Sequence, residues 1–217
     1  IESYLAMKYG ITLPMTNGST GTDFTTKSQN GTVLSVFDAS NSVDIGANSS
    51  GNINTSTFDD YVYDVAGVMK DNTNVLVNTK STSSNFDDSL VIELENTGLL
   101  DNQEFLFWGN NNDVPRYTTT DLPTGLPTYT TSRIAREWRV QKTSIVSNAL
   151  SANPNMGTVK VTFDLDDYAI RPTSATNFCL VTDATDSDFT TVAGQTQYCA
   201  GTLNTVNNTI EFTGVSL

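Results

Sequence analysis

The sequence predicts an all-β fold: an antiparallel β-sandwich of about ten strands with one short N-terminal helix and long polar loops. Short runs of β-branched and aromatic residues recur with turn residues between them, and beyond the first ten residues no segment keeps a helical period over a helix's length. Hydrophobic residues make up 37% of the chain and charged residues only 16%, so the polar surface comes chiefly from Thr, Ser and Asn. That composition suits sheets joined by polar loops. At 217 residues the chain is of a size that sandwiches reach as one unit, and residues 1–217 are read as a single module.

Residues 1–13 supply the helix and the strand it feeds. Ile1, Tyr4, Leu5 and Tyr9 follow helical spacing, and Gly10 is placed to end the helix. A stretch rich in Asn, Ser, Thr and Gly follows to about Thr57, interrupted by the apolar island VLSVF at Val33 to Phe37. Further strands are expected at Tyr61 to Met69, Asn74 to Thr79, Ser89 to Glu95 and Glu104 to Gly109. After residues 110–132 come Ile134 to Val140, Val159 to Leu165, Phe178 to Thr182, Thr196 to Cys199 and Thr209 to Val215. Residues 110–132 hold Pro115, Pro123 and Pro127, which lack the ladder donor of an interior strand. They read as a long exposed loop, either a binding loop or a tip open to insertion.

A formal charge of −13 opposes approach to phosphate backbones, which needs Lys and Arg in surplus, so nucleic acid is not an expected partner. No apolar run approaches the roughly 20 residues that span a bilayer, so no membrane insertion is expected. The opening IESYLAMKYG starts abruptly and carries no signal peptide, as expected for a piece excised from a longer export substrate. Cys179 and Cys199 lie in two short β-like runs that a hairpin can bring together; an oxidising compartment would join them, whereas a reducing one would leave two buried thiols.

The absence of His removes Ser-His, Cys-His and His-ligated zinc sites together. Asp183, Asp186 and Asp188 follow directly on a strand, where closely spaced carboxylates can converge on Ca²⁺; a solvated turn is the alternative. Alternation places Asp164 and Asp166 on one face, either as a paired-carboxylate glycosidase site or as strand-end solvation. Trp108 and Trp138 lie within strand runs and are expected in the core. Arg133, Arg136 and Arg139 form either an anion-binding patch or partners for the surplus acids. Tyr117 and Tyr129, on the Pro-rich loop, are the candidates for ligand contact, or else fold back onto the sheets.

The runs IESYLAMKYGITL, YVYDVAGVMKD, SLVIELEN, EFLFWGNNND, SRIAREWRVQKT, GTVKVTFDL and NFCLVTDATDSDF, in that order, resemble a domain of unknown function. Such domains follow LamG domains, among cadherin-like and repeat modules, in large secreted and adhesin-like proteins of marine and gliding bacteria. The resemblance covers nearly the whole chain. It implies a non-catalytic sandwich module, extracellular or at the cell surface, and supplies no catalytic residues. This chain departs from the pattern in lacking a Gly between Asp186 and Asp188. The expected role is structural or adhesive and monomeric, with Ca²⁺ at the Asp cluster as the expected stabiliser and neighbouring domains of the same polypeptide as partners. A carbohydrate- or peptide-binding module is the alternative, and a carboxylate glycosidase the remote one.

Overall fold

The computed structural model describes residues 24–27, 33–37, 63–72, 76–82, 92–96, 100–111, 113, 116–123, 125–126, 131–146, 149–152, 157–166, 174, 178–184, 189–190 and 193–217. Every regular element among them is a strand, and every pairing is antiparallel. The helix expected at Ile1 to Gly10 lies outside the described residues. Among the described residues no helix is long and apolar enough to cross a membrane.

In chain order the strands are β1 (Phe24–Lys27), β2 (Val33–Phe37), β3 (Tyr63–Asp71), β4 (Leu76–Asn78), β5 (Lys80–Thr82), β6 (Ile92–Asn96), β7 (Glu104–Asn110) and β8 (Tyr117–Thr118). There follow β9 (Arg133–Ile134), β10 (Trp138–Val146), β11 (Ala149–Ala152), β12 (Val159–Asp164), β13 (Leu180–Asp183), β14 (Gln195–Tyr198), β15 (Thr202–Asn204) and β16 (Thr209–Val215). One five-stranded sheet has the order β11-β10-β7-β3-β4, a second the order β15-β16-β12-β6-β5, and the pairs β1-β2, β8-β9 and β13-β14 stand beside them.

The two large sheets share one apolar cluster. Ala66 and Val68 on β3 and Leu106 and Trp108 on β7 are packed with Val159, Val161, Phe163, Ile210, Phe212 and Val215 of the second sheet. On β12 the alternation is strict, with Val159, Val161 and Phe163 buried and Lys160, Thr162 and Asp164 less so, as a strand with one face on a core requires. β7 differs, because all seven of its residues are buried. Its second face carries Phe105 and Phe107, whose rings are parallel with centroids 6.4 Å apart, and β2 packs close to β7 and β10.

The sheets are also joined covalently along one side. β4 belongs to the first sheet and β5 to the second, with only Thr79 between them, so a single extended segment changes sheet there. Buried Asn78 holds the crossing by donating from Nδ2 to the carbonyl of Gly67 at 3.0 Å. On the opposite ladder, β16 spans three steps from Phe212 to Val215 while β12 spans two, and Gly214 at φ 69° takes up the extra residue as a bulge.

Within the described residues the expected strands are present, but four differences have physical reasons. β1, FTTK, pairs with β2 in a stretch where Val33 to Phe37 is the single strand expected, and one aromatic among Thr and Lys leaves no alternation to read. β5, β11 and β15 are edge strands of three or four mostly polar or small residues, and such edges carry no apolar alternation to read. Ile134 to Val140 is not one strand, since β9 stops at Ile134 and β10 begins at Trp138. The Pro-rich loop is not wholly loop, because Tyr117 and Thr118 form β8 and pair with Ile134 and Arg133.

Close packing of β7 makes Gly67 a sharp test. A Cβ there would lie 2.8 Å from Cδ1 of Phe107 and 2.9 Å from the carbonyl oxygen of Leu106, and the backbone oxygen cannot swing aside. Gly67→Ala is expected to lower unfolding stability by about 1–3 kcal/mol in urea titration. A midpoint equal to the parent's would contradict this packing.

Candidate functional site

The site grows out of the β7-β10 ladder. Trp138 pairs with Asn110 at the last rung of that ladder, and one residue further the backbone N–H of Asn111 donates to the carbonyl of Glu137 at 3.2 Å. The Asn111 side chain continues the register. Its Oδ1 accepts the amides of Glu137 at 3.2 Å and of Asp113 at 3.1 Å, which turns the chain out of β7. Buried Arg136 then donates from Nε to the carbonyl of Asp113 at 2.9 Å, and the amide of Ala135 donates to the carbonyl of Arg116 at 2.9 Å. The first half of the Pro-rich loop is thus tied to residues 133–137 rung by rung.

Arg133 is the fastener. Nε donates to the carbonyl of Thr120 at 3.1 Å; Nη1 donates to the carbonyls of Ile134 at 3.0 Å and Ala135 at 3.5 Å. Nη2 faces Asp121 Oδ2 at 3.1 Å and Glu137 Oε1 at 2.8 Å. A guanidinium has five N–H donors, and all five are engaged. The choice posed for the three arginines therefore resolves for Arg133 as internal pairing, chiefly to backbone oxygens. The ring of Phe189 lies 5.7 Å from its guanidinium carbon, which joins the loop after β13 to the same cluster. A Cβ on Gly125 would stand 3.9 Å from Gln197 Nε2, so the Pro-rich loop also approaches β14.

Between the loop and residues 133–137 lies an open cleft of about 580 Å³, lined by Asn111, Asp113, Arg116, Tyr117, Thr118, Thr119, Thr120, Arg133, Ala135 and Glu137. Tyr117 is 37% exposed at its wall, which places one of the two candidate ligand tyrosines on a cleft; Tyr129 lies outside the described residues. Partial burial raises the Tyr117 phenol above its ordinary value, so it is a neutral donor at physiological pH. The Thr118 and Thr120 hydroxyls are hydrogen-bonded at 2.8 Å, and the Thr120 amide donates to Thr118 Oγ1 at 3.2 Å, presenting a hydroxyl-bearing turn.

The other expected sites are placed as follows. Asp183 ends β13 opposite Gln195, while Asp186 and Asp188 lie outside the described residues. Asp164 and Asp166 do not share a strand face: β12 ends at Asp164, the amide of Asp166 donates to Asp164 Oδ1 at 2.9 Å, and this side-chain turn closes the strand. Trp108 is fully buried, and Trp138 packs against the cluster with its ring edge-on to Phe163, centroids 5.4 Å apart. Cys179 and Cys199 flank the β13-β14 hairpin and are joined by a disulfide, Cα atoms 4.1 Å apart. The hairpin is further fixed to the chain just after β16, where the Ser216 amide donates to Tyr198 Oη at 2.8 Å. The Arg133 cluster was not readable as a fastener beforehand, because its main acceptors are carbonyls that sequence does not place.

Two outcomes follow. Arg133→Lys keeps the charge but loses the planar fork, and is expected to cost about 1–3 kcal/mol in urea unfolding and to expose residues 113–121 to limited proteolysis. An unchanged midpoint and cleavage pattern would show that the guanidinium does not hold the loop. For Tyr117 the folded-state pKa lies above the unfolded value of 10.0, so its contribution is complete below pH 10.0 and is lost as pH rises through the higher folded value. Melting measured across that alkaline window is expected to fall more steeply for the parent than for Tyr117→Phe; parallel curves would refute the burial.

Neither a curated protein nor a solved structure matches this chain. A family model described as a domain of unknown function, DUF8202, matches residues 1–216. The chain therefore belongs to the DUF8202 family, a domain of unknown function.

Proposed function

We propose that this domain is a non-catalytic structural or adhesive module of a large exported bacterial protein, a β-sandwich that spaces and presents neighbouring ligand-binding domains outside the cell. The observation that carries this reading is the saturated Arg133, which fastens the longest described loop to the sheets. A loop that gates catalysis must open and close, and a segment pinned to Arg133 through both Thr120 and Asp121 is suited instead to transmitting position. The resemblance of the sequence to domains among LamG and cadherin-like modules supports the setting. So does the cross-link at Cys179–Cys199, a kind of bond that persists in oxidising compartments.

A second reading is favoured by one feature, the cleft beside Tyr117: the module itself binds a ligand there, a carbohydrate in preference to a peptide. Calcium belongs to the first reading as a stabiliser of the loop after β13, with Asp183 as the carboxylate at the strand end. Thermal unfolding of the full chain with millimolar Ca²⁺ is expected to occur at higher temperature than in EDTA, and an Asp183→Asn, Asp186→Asn, Asp188→Asn variant is expected to lose the difference. Coincident melting curves for the parent would remove calcium from the account.

A further inference from the structure

We propose that the cleft beside β8 binds an anionic saccharide, with Arg116 meeting its carboxylate or sulfate and Tyr117 lying against its ring face. The proposal rests on the second reading above and names the ligand class.

Two cations line the cleft, and their chemistry differs. Arg133 has no donor left for a ligand. Arg116 is exposed, and among the described residues its guanidinium makes no hydrogen bond or ion pair, although the chain carries 24 acidic residues against 11 basic ones. What is fixed is its backbone. The carbonyl of Arg116 accepts from Ala135, and Tyr117 next to it is paired with Ile134, so a rigid stem delivers the charged fork to the cleft. A planar guanidinium on such a stem recognises a carboxylate or sulfate through two parallel bonds.

The remaining lining suits a polyhydroxylated partner. Tyr117 offers one aromatic face, and Thr118, Thr119 and Thr120 carry hydroxyls along the same wall. Glu137, held by Arg133 at 2.8 Å, is an oriented acceptor for ligand hydroxyls, and Asp113 lies on the same wall. An acidic peptide is less well served. Strand addition needs an open edge longer than two-residue β8, which is already paired to β9, and side-chain recognition needs apolar pockets that this lining does not provide. The volume of about 580 Å³ falls in the range of sites for small ligands.

Isothermal titration of the full chain with four probes tests the assignment: a galactan oligosaccharide carrying a single galacturonate, the same oligosaccharide carrying a single sulfate, the neutral galactan oligosaccharide and a peptide with a single glutamate. At least one anionic saccharide is expected to bind, more weakly as salt rises, while the neutral one and the peptide do not; the two anionic arms tell carboxylate from sulfate. Arg116→Gln, with the melting temperature kept, and Tyr117→Ala, measured well below its own melting temperature, are each expected to weaken binding about tenfold or more. Equal binding of the neutral oligosaccharide with Arg116→Gln silent would overturn the charge assignment and leave the cleft reading standing. Equal binding of the peptide would overturn the saccharide. No binding of any saccharide would overturn both the proposal and the reading beneath it.

Discussion

A strand with water on neither face imposes its order on everything around it, and here that strand is β7. Seven successive buried residues require a layer on each side and a hydrogen-bonded neighbour on each edge. Leu106 and Trp108 meet the second sheet, Phe105 and Phe107 face the other way, and β3 and β10 occupy the edges. The last rung of the β7-β10 ladder then decides where the Pro-rich loop leaves the body of the domain. Asn111 and Glu137 extend that register by backbone and side chain, and the cleft opens beside the extension. The candidate site is therefore placed by the ladder that crosses the core.

Most of the polar groups that invite a functional reading are engaged in building loops. Arg133 gathers three carbonyls and two carboxylates, Asp164 closes its own strand, and Asn204 accepts the amides of Val206 and Asn207 to shape the turn before β16. Backbone groups in long connections must find partners somewhere, and a chain with few hydrophobic residues to bury its loops supplies Asn, Asp and Thr for that purpose. The wall of the cleft is ordered in the same way, with the Arg116 carbonyl bonded to Ala135 and Tyr117 paired to Ile134, so a ligand taken up there would meet a surface already fixed.

The strands that cross the core were legible because each must show apolar residues to a neighbouring layer: the alternation of β12 and the unbroken run of β7 are direct imprints of burial. β8 and β15 were not, since two or three polar residues paired at an edge leave no periodic trace. The break between β9 and β10 was hidden for a related reason. Ile134 and Trp138 both pack against the core, and their apolar character conceals the turn through Arg136 that separates them. At the candidate site Tyr117 was identified from its residue type and loop context. Arg116 went unremarked, and the fastening role of Arg133 depends on carbonyls brought together from positions up to 13 residues away.

Amide hydrogen exchange tests most directly the central claim that the cleft is built as an extension of the core ladder. The amides of Ala135 and Glu137, bonded to Arg116 and Asn111, should exchange orders of magnitude slower than an unstructured peptide, approaching those of β10. Exchange of residues 133–137 at the unstructured rate, with β7 still protected, would contradict the account.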